Sequence, residues 1–128
     1  MAPDYVFVAE SVVKNFTKAL IDSIKRFYGE SPNGSDQMGK IVNDFHMKRL
    51  TDLLDSSNGQ IIYGGRTNEA ARHMQPTLVL NPKVSSQLMT EEIFGPILPI
   101  MTYKNFDEVV SFIRDRPKPL AVYFMGHP

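Results

Sequence analysis

The stretch LPIMTYKNFDEVVSFIRDRPKPLAVYF at residues 98–124 decides the fold class, because it holds a strand, a helix and a strand in close succession. Residues 98–103 and 120–124 are short apolar runs of strand length. Between them Asn105 can cap a helix, and Glu108, three residues later, can reach back to complete a capping box. This succession predicts a βαβ unit with parallel strands. The helix face expected to be buried consists of Phe106, Val109, Val110 and Ile113.

The rest of the chain shows the same mixture of short strands and amphipathic helices. The other predicted elements are, in chain order, a strand at 5–8, helices at 11–28 and 43–55, a strand at 60–63, a polar loop at 66–72 and a strand at 77–80. The first helix is expected to bury Val12, Val13, Phe16, Leu20, Ile24 and Phe27, and the second Phe45, Leu50, Leu53 and Leu54. The pattern predicts an α/β fold with a mostly parallel sheet flanked by helices, in a single domain over residues 1–128.

The composition is that of an ordinary globular protein, with 42% hydrophobic and 22% charged residues. The 14 basic and 14 acidic side chains leave no net charge, which argues against nucleic-acid binding and favours self-association. Cysteine is absent, and His46, His73 and His127 lack the spacing of metal ligands, so no metal site is expected. No apolar run is long enough to span a membrane and no secretory signal is visible, which predicts a cytoplasmic protein.

The hexapeptide EEIFGP at residues 91–96 resembles a signature of the aldehyde dehydrogenase family. Further segments resemble that family in order and spacing: APDYV at 2–6, FYGE at 27–30, GKIVN at 39–43, His46, YGG at 63–65, QPTL at 75–78 and KPLAVY at 118–123. The first of these is similar to the stretch just after the catalytic cysteine of the class 3 and fatty aldehyde dehydrogenases. The resemblance covers essentially the whole chain and implies part of an aldehyde dehydrogenase catalytic domain.

The resemblance assigns cofactor contacts to two residues of the hexapeptide. Glu92 would hydrogen-bond the hydroxyls of the nicotinamide ribose of NAD or NADP, and Phe94 would pack beside the nicotinamide ring. These roles suit the residue types, because a carboxylate accepts both hydrogen bonds of a vicinal diol and an aromatic edge holds a flat ring. In the alternative interpretation Glu91 and Glu92 are merely solvated, Phe94 is part of the core, and the cofactor contacts are vestigial.

The resemblance also indicates what this sequence lacks. The nucleophilic cysteine of the family would lie two residues before Ala2. The general-base glutamate, the oxyanion asparagine and the Rossmann-type nucleotide domain of the family lie farther upstream. We therefore expect a truncated, aldehyde dehydrogenase-like pseudoenzyme that does not oxidise aldehydes on its own, uses no cofactor and has no measurable affinity for a dinucleotide.

Three functions are compatible with these features. In the first, the truncated protein is reused to bind a small apolar molecule, as a cofactor-free isomerase or cyclase of a biosynthetic pathway, and Tyr5, Glu92 and Phe94 are the ligand-binding candidates. Alternatively it is a fragment of an NAD(P)-dependent enzyme that oxidises fatty aldehydes to acids, or a non-catalytic interaction module. Further polar candidates, which the sequence does not rank, are Asp4, His46, Tyr63, His73, Glu91 and Tyr103.

A homodimer is the expected assembly. Faces that pack against other parts of an intact aldehyde dehydrogenase would expose apolar side chains, and such patches favour association. An unpaired strand edge, at residues 120–124 or 5–8, would offer backbone hydrogen-bonding groups to a second copy.

Overall fold

A computed structural model describes residues 3–30 and 38–126; His127 lies outside the described residues. The helices are α1 (Val13–Tyr28), α2 (Asp44–Asp55), α3 (Gln87–Thr90) and α4 (Phe106–Arg114). The strands are β1 (Val6–Ala9), β2 (Gln60–Tyr63), β3 (Thr67–Asn68), β4 (His73–Met74), β5 (Thr77–Leu80) and β6 (Ile97–Tyr103).

The main sheet has four strands in the order β1-β6-β5-β2. The central strand β6 is parallel to both of its neighbours, with Val6 of β1 opposite Ile100 and Thr77 of β5 opposite Ile97. Strand β2 is antiparallel to β5, and β3 and β4 form a separate small hairpin. The predicted α/β fold with a mostly parallel sheet is confirmed.

Helices pack on both faces of the sheet, because the side chains of consecutive strand residues point in opposite directions. On one face Ile24 of α1 belongs to a core cluster with Leu78 and Ile100. On the other face Leu50 of α2 belongs to a cluster with Val79 and Ile97. Ile93 of the EEIFGP segment also belongs to the second cluster, so this segment packs against it.

The helices form where the sequence predicted them, but parts of their predicted buried faces are exposed. On α2, Phe45 is 74% exposed and Met47 is buried in its place. The reason is geometric: Met47, Leu50 and Leu54 recur at three- and four-residue steps, and Phe45 lies off that stripe. Four other residues expected to be buried are also exposed: Val12, Phe27, Phe106 and Val110. Two short elements were not predicted, α3 and the β3–β4 hairpin, which begins inside the predicted loop 66–72.

The predicted strand at residues 120–124 is wrong. In the described part of the chain these residues pair with no strand, and Leu120 is 90% exposed. A strand depends on hydrogen bonds to a neighbouring strand, so an apolar run without an adjacent edge does not form one. The ring of Phe124 instead lies 6.0 Å from that of Phe106 on α4. The predicted βαβ unit is therefore absent among the described residues, and the parallel pairs are those that β6 makes with β1 and β5.

Candidate functional site

The segment 91–96 leads from α3 into β6 and is anchored to the core beneath α2. Ile93 is 2% exposed and packs in the cluster that contains Leu50. Gly95 also lies against Leu50: a Cβ atom at residue 95 would come within 2.7 Å of Leu50 Cδ1, and Leu50 is fully buried. The positions on either side of Phe94 are thus held close to α2, one by burial and one by the absence of a side chain.

Hydrogen bonds hold two consecutive peptide groups of this segment. Arg49 of α2 donates from Nη1 to the carbonyl oxygen of Glu92 at 3.3 Å and from Nη2 to that of Ile93 at 2.6 Å. Arg49 Nε donates to His46 Nδ1 at 3.4 Å. From the other side, Asp4 Oδ1 accepts from the backbone N–H of Ile93 at 3.3 Å. The Glu92–Ile93 peptide is therefore bound at both its carbonyl and its N–H.

Phe94 is presented to solvent in a strained backbone conformation. Its φ is +46°, in the left-handed region, and its side chain is 75% exposed. Side chains with a Cβ atom disfavour this region, and a bulky residue there is a marked outlier. Exposing a large aromatic ring while straining its backbone does not stabilise the fold. Such a combination is typical of positions held for function, where the surrounding contacts impose the conformation.

The structure places Glu91 and Glu92 at the surface beside Phe94. The alternative interpretation is wrong in placing Phe94 in the core, because Ile93 fills the core position. Its solvated Glu91 and Glu92 agree with the exposure of both residues. The exposed side chains of Glu92 and Phe94 lie two positions apart in the chain, on a backbone that Arg49 and Asp4 hold in place. Such a pair can offer a flat apolar surface and a hydrogen-bond acceptor to the same ligand.

The ring of Tyr5 contacts other aromatic rings, none of which lies in the EEIFGP loop. Its ring packs edge-on against Phe7 at 5.8 Å and against Phe112 of α4 at 5.6 Å. The guanidinium of Arg116 lies 3.5 Å from the centre of the Phe112 ring and closes this aromatic group. The neighbouring Asp4 is the residue of this segment that reaches the EEIFGP loop.

The remaining polar candidates lie in different places. His46 adjoins the loop through its bond with Arg49. The hydroxyl of Tyr63 is buried and has no hydrogen-bond partner among the residues that the structure describes. His73 lies in β4, and the ring of Tyr103 at the end of β6 lies 6.2 Å from Phe106. Sequence reasoning missed Arg49, which looks like any solvated charge on a helix and contacts residues more than 40 positions away.

A surface ion pair lies on α2 beside Arg49. Lys48, next to Arg49, bonds Asp52 at 2.7 Å, and this hydrogen bond, helped by the attraction of that carboxylate, raises the pKa of Lys48. Among residues 3–30 and 38–126, no group of three His, Cys, Asp or Glu side chains is placed to hold a metal ion. Over the same residues, no helix is both long enough and apolar enough to cross a membrane.

Comparison with known proteins identifies the family. The model of a family described as the aldehyde dehydrogenase family matches residues 1–127. This chain belongs to the aldehyde dehydrogenase family. The resemblance seen at EEIFGP is thereby confirmed, and the sheet and helices are those of an aldehyde dehydrogenase.

The relatives of this aldehyde dehydrogenase chain include class 3 members. The 4,4'-diaponeurosporen-aldehyde dehydrogenase of Staphylococcus aureus is 46% identical over 126 residues, which make up 98% of this chain and 28% of that protein. Aldehyde dehydrogenase family 3 member A2 of Rattus norvegicus is 42% identical over 127 residues, which are 99% of this chain and 26% of the rat protein. The chain thus spans about a quarter of the length of these relatives.

Solved structures agree with the family assignment. The substrate-bound state of Staphylococcus aureus AldH superimposes with a TM-score of 0.87 at 47% identity, covering 93% of this chain and 26% of that one. At lower identity the shared fold extends to betaine aldehyde dehydrogenase of the same organism, with a TM-score of 0.71 at 22% identity. That match covers 88% of this chain and 24% of the betaine enzyme.

The expectation that no cofactor is involved is wrong. The betaine aldehyde dehydrogenase, which shares this fold, was solved in complex with NAD+. An Escherichia coli enzyme described as NADP dependent shares the fold as well, with a TM-score of 0.75. The expectation rested on the absence of a nucleotide domain from this sequence, and that absence does not bear on what the residues present here contact.

Proposed function

We propose that this chain supplies the nicotinamide-contacting loop of an NAD(P)-dependent aldehyde dehydrogenase. Glu92 accepts hydrogen bonds from the hydroxyls of the nicotinamide ribose, and Phe94 packs beside the nicotinamide ring. The observation that supports these roles is the exposed Phe94 ring on a left-handed backbone, held between the buried Ile93 and the tightly packed Gly95.

The residues present fit a nicotinamide nucleotide. A ribose diol is best bound by an anionic acceptor with two free oxygens, and the Glu92 side chain is exposed and directly precedes an anchored peptide. A flat ring needs an accessible aromatic surface, which Phe94 provides. A bound nicotinamide would supply the hydride acceptor for aldehyde oxidation. The loop serves this step by orientation, because it fixes both the sugar and one edge of the ring.

An exchange of segments tests this function with turnover as the readout. The matching part of Staphylococcus aureus AldH is replaced by this chain, and NAD(P)H formation is followed with the aldehyde substrate of that enzyme. We expect an active chimera in which Glu92→Gln raises the KM for the dinucleotide roughly 10- to 100-fold, the effect of losing a charge-assisted hydrogen bond. Glu91→Gln is the matched control and should leave KM unchanged. Equal kinetics for the two variants would contradict the assignment, as would a folded but inactive chimera.

The alternative of a reused binder of small apolar molecules is not favoured. Two clefts beside α2, of about 360 and 300 Å³, are open to solvent and mix charged lining residues, such as Asp44 and Lys48, with apolar ones, such as Met47. Sites for apolar molecules are enclosed and lined mainly by hydrophobic side chains. The proposed dehydrogenase role therefore takes precedence over a cofactor-free isomerase or cyclase.

We also propose that the chain self-associates as a dimer, and the observation in favour is the apolar segment at its described end. Leu120, Val122, Phe124 and Met125 are all largely exposed and unpaired with any described strand. Clustered apolar side chains of this kind are usually covered by another protein surface. Light scattering after size exclusion is the test, and a single species of 14.5 kDa at tens of micromolar would contradict dimerisation.

A further inference from the structure

Arg49 is the side chain that links the EEIFGP loop to α2. Its two terminal nitrogens bind two successive carbonyl oxygens, those of Glu92 and Ile93. The second carbonyl belongs to the peptide that carries the Phe94 nitrogen, so its direction helps to set the φ of Phe94. A planar guanidinium suits this task, because its donors lie in one fixed plane and can meet two acceptors at once.

Two other contacts of the loop act on different groups. Burial of Ile93 fixes a side chain, and Asp4 binds the N–H of the preceding peptide. Neither contact acts on the Ile93–Phe94 peptide, whose carbonyl is bound by Arg49 at 2.6 Å. Because a left-handed φ is unfavourable for phenylalanine, this peptide would turn over if its carbonyl were released.

We propose that Arg49 is a positioning residue for the cofactor, which holds Phe94 in the conformation that presents its ring to the nicotinamide. The inference rests on the proposed function of the loop. Arg49 itself does not touch the cofactor in this account. It acts through the direction of one peptide group, and His46 keeps the guanidinium aligned through its bond to Nε.

Nuclear magnetic resonance on the isotopically labelled chain separates a positioning role from a merely structural one. The sign of φ at Phe94 is measured by cross-correlated relaxation in the free protein, and the affinity for nicotinamide mononucleotide is measured by chemical-shift titration. In Arg49→Met we expect φ at Phe94 to become negative and the dissociation constant to rise about tenfold or more. Lys48→Met is the matched control, since it removes the neighbouring charge on α2 and should change neither quantity.

Arg49→Lys keeps the charge but lacks the planar pair of donors, so it should also lose the positive φ and bind more weakly than the unmodified chain. Arg49→Lys is the variant to measure if Arg49→Met does not fold. A positive φ with unchanged affinity in either folded variant would overturn the role of Arg49 while leaving the proposed function intact. Failure of the unmodified chain to bind the mononucleotide would instead overturn the proposed function.

Discussion

Replacing Phe94 by glycine distinguishes a residue held for function from one that stabilises the fold. The side chain is 75% exposed, so about a quarter of its surface, on the order of 50 Å², is lost from contact on truncation. At about 25 cal/mol per Å² this loss costs about 1 kcal/mol. Relief of the left-handed strain stabilises the folded state by about 1 kcal/mol. The greater freedom of glycine in the unfolded chain costs roughly 0.5 kcal/mol more.

We therefore expect Phe94→Gly to change the free energy of unfolding by less than about 1 kcal/mol, compared with about 3–5 kcal/mol for truncating a buried phenylalanine. Phe94→Ala should be less stable than Phe94→Gly by about 1 kcal/mol, because alanine keeps a Cβ atom at positive φ. Both variants should lose affinity for nicotinamide mononucleotide.

Phe45 provides the matched comparison, since it is 74% exposed but lies in α2. In a helix alanine is favoured over glycine by up to about 1 kcal/mol, so the order of the two substitutions should be reversed at Phe45. Urea denaturation of the four variants measures these differences. The reasoning is refuted if Phe94→Gly costs more than about 3 kcal/mol, or if alanine is the more stable replacement at both positions.

Three further substitutions test the framework around the loop. Gly64→Ala should lower the free energy of unfolding by about 3 kcal/mol or more, because φ is +79° and the new Cβ atom would lie 2.9 Å from Thr77 Cα and still closer to the Pro76 carbonyl. Gly39 has open space around it, so Gly39→Ala should leave the free energy of unfolding unchanged. Equal losses of stability in the two variants would contradict the argument. Gly95→Ala should cost about 1–3 kcal/mol in urea denaturation through its contact with the fully buried Leu50, whereas an unchanged midpoint would show that the core has room there. Asn105→Ala should cost about 1 kcal/mol in thermal denaturation by uncapping α4, and the loss should shrink in a Glu108→Ala background.

Local features of the fold were predictable from the sequence. The capping box of α4 depends on residues three positions apart, and it forms as predicted: Asn105 Oδ1 accepts from the Asp107 N–H at 3.1 Å, and Glu108 accepts from the Asn105 N–H at 3.3 Å. Helix and strand positions followed from periodicity for the same reason. The predicted core-facing side of α2 was wrong at Phe45, because Phe45 is as apolar as Met47 and only tertiary packing decides between them.

Features that depend on distant residues were not predictable. Residues 120–124 have the composition of a strand, but strand formation needs a neighbouring edge that no local pattern specifies. The positive φ of Phe94 accompanies the contact of the Ile93 carbonyl with Arg49, which lies more than 40 positions away in the chain. Family resemblance drew attention to Glu92 and Phe94, whereas Arg49 is visible only in the folded structure.

The most direct measurement of the central claim is the set of nuclear Overhauser effects between this chain and bound nicotinamide mononucleotide. We predict contacts between the Phe94 ring protons and the nicotinamide ring, and between the Glu92 side chain and the ribose. Phe45, an equally exposed aromatic residue, serves as the internal control and should show none. Contacts to Phe45 or to other aromatic residues, with none to Phe94 at saturating ligand, would contradict the account.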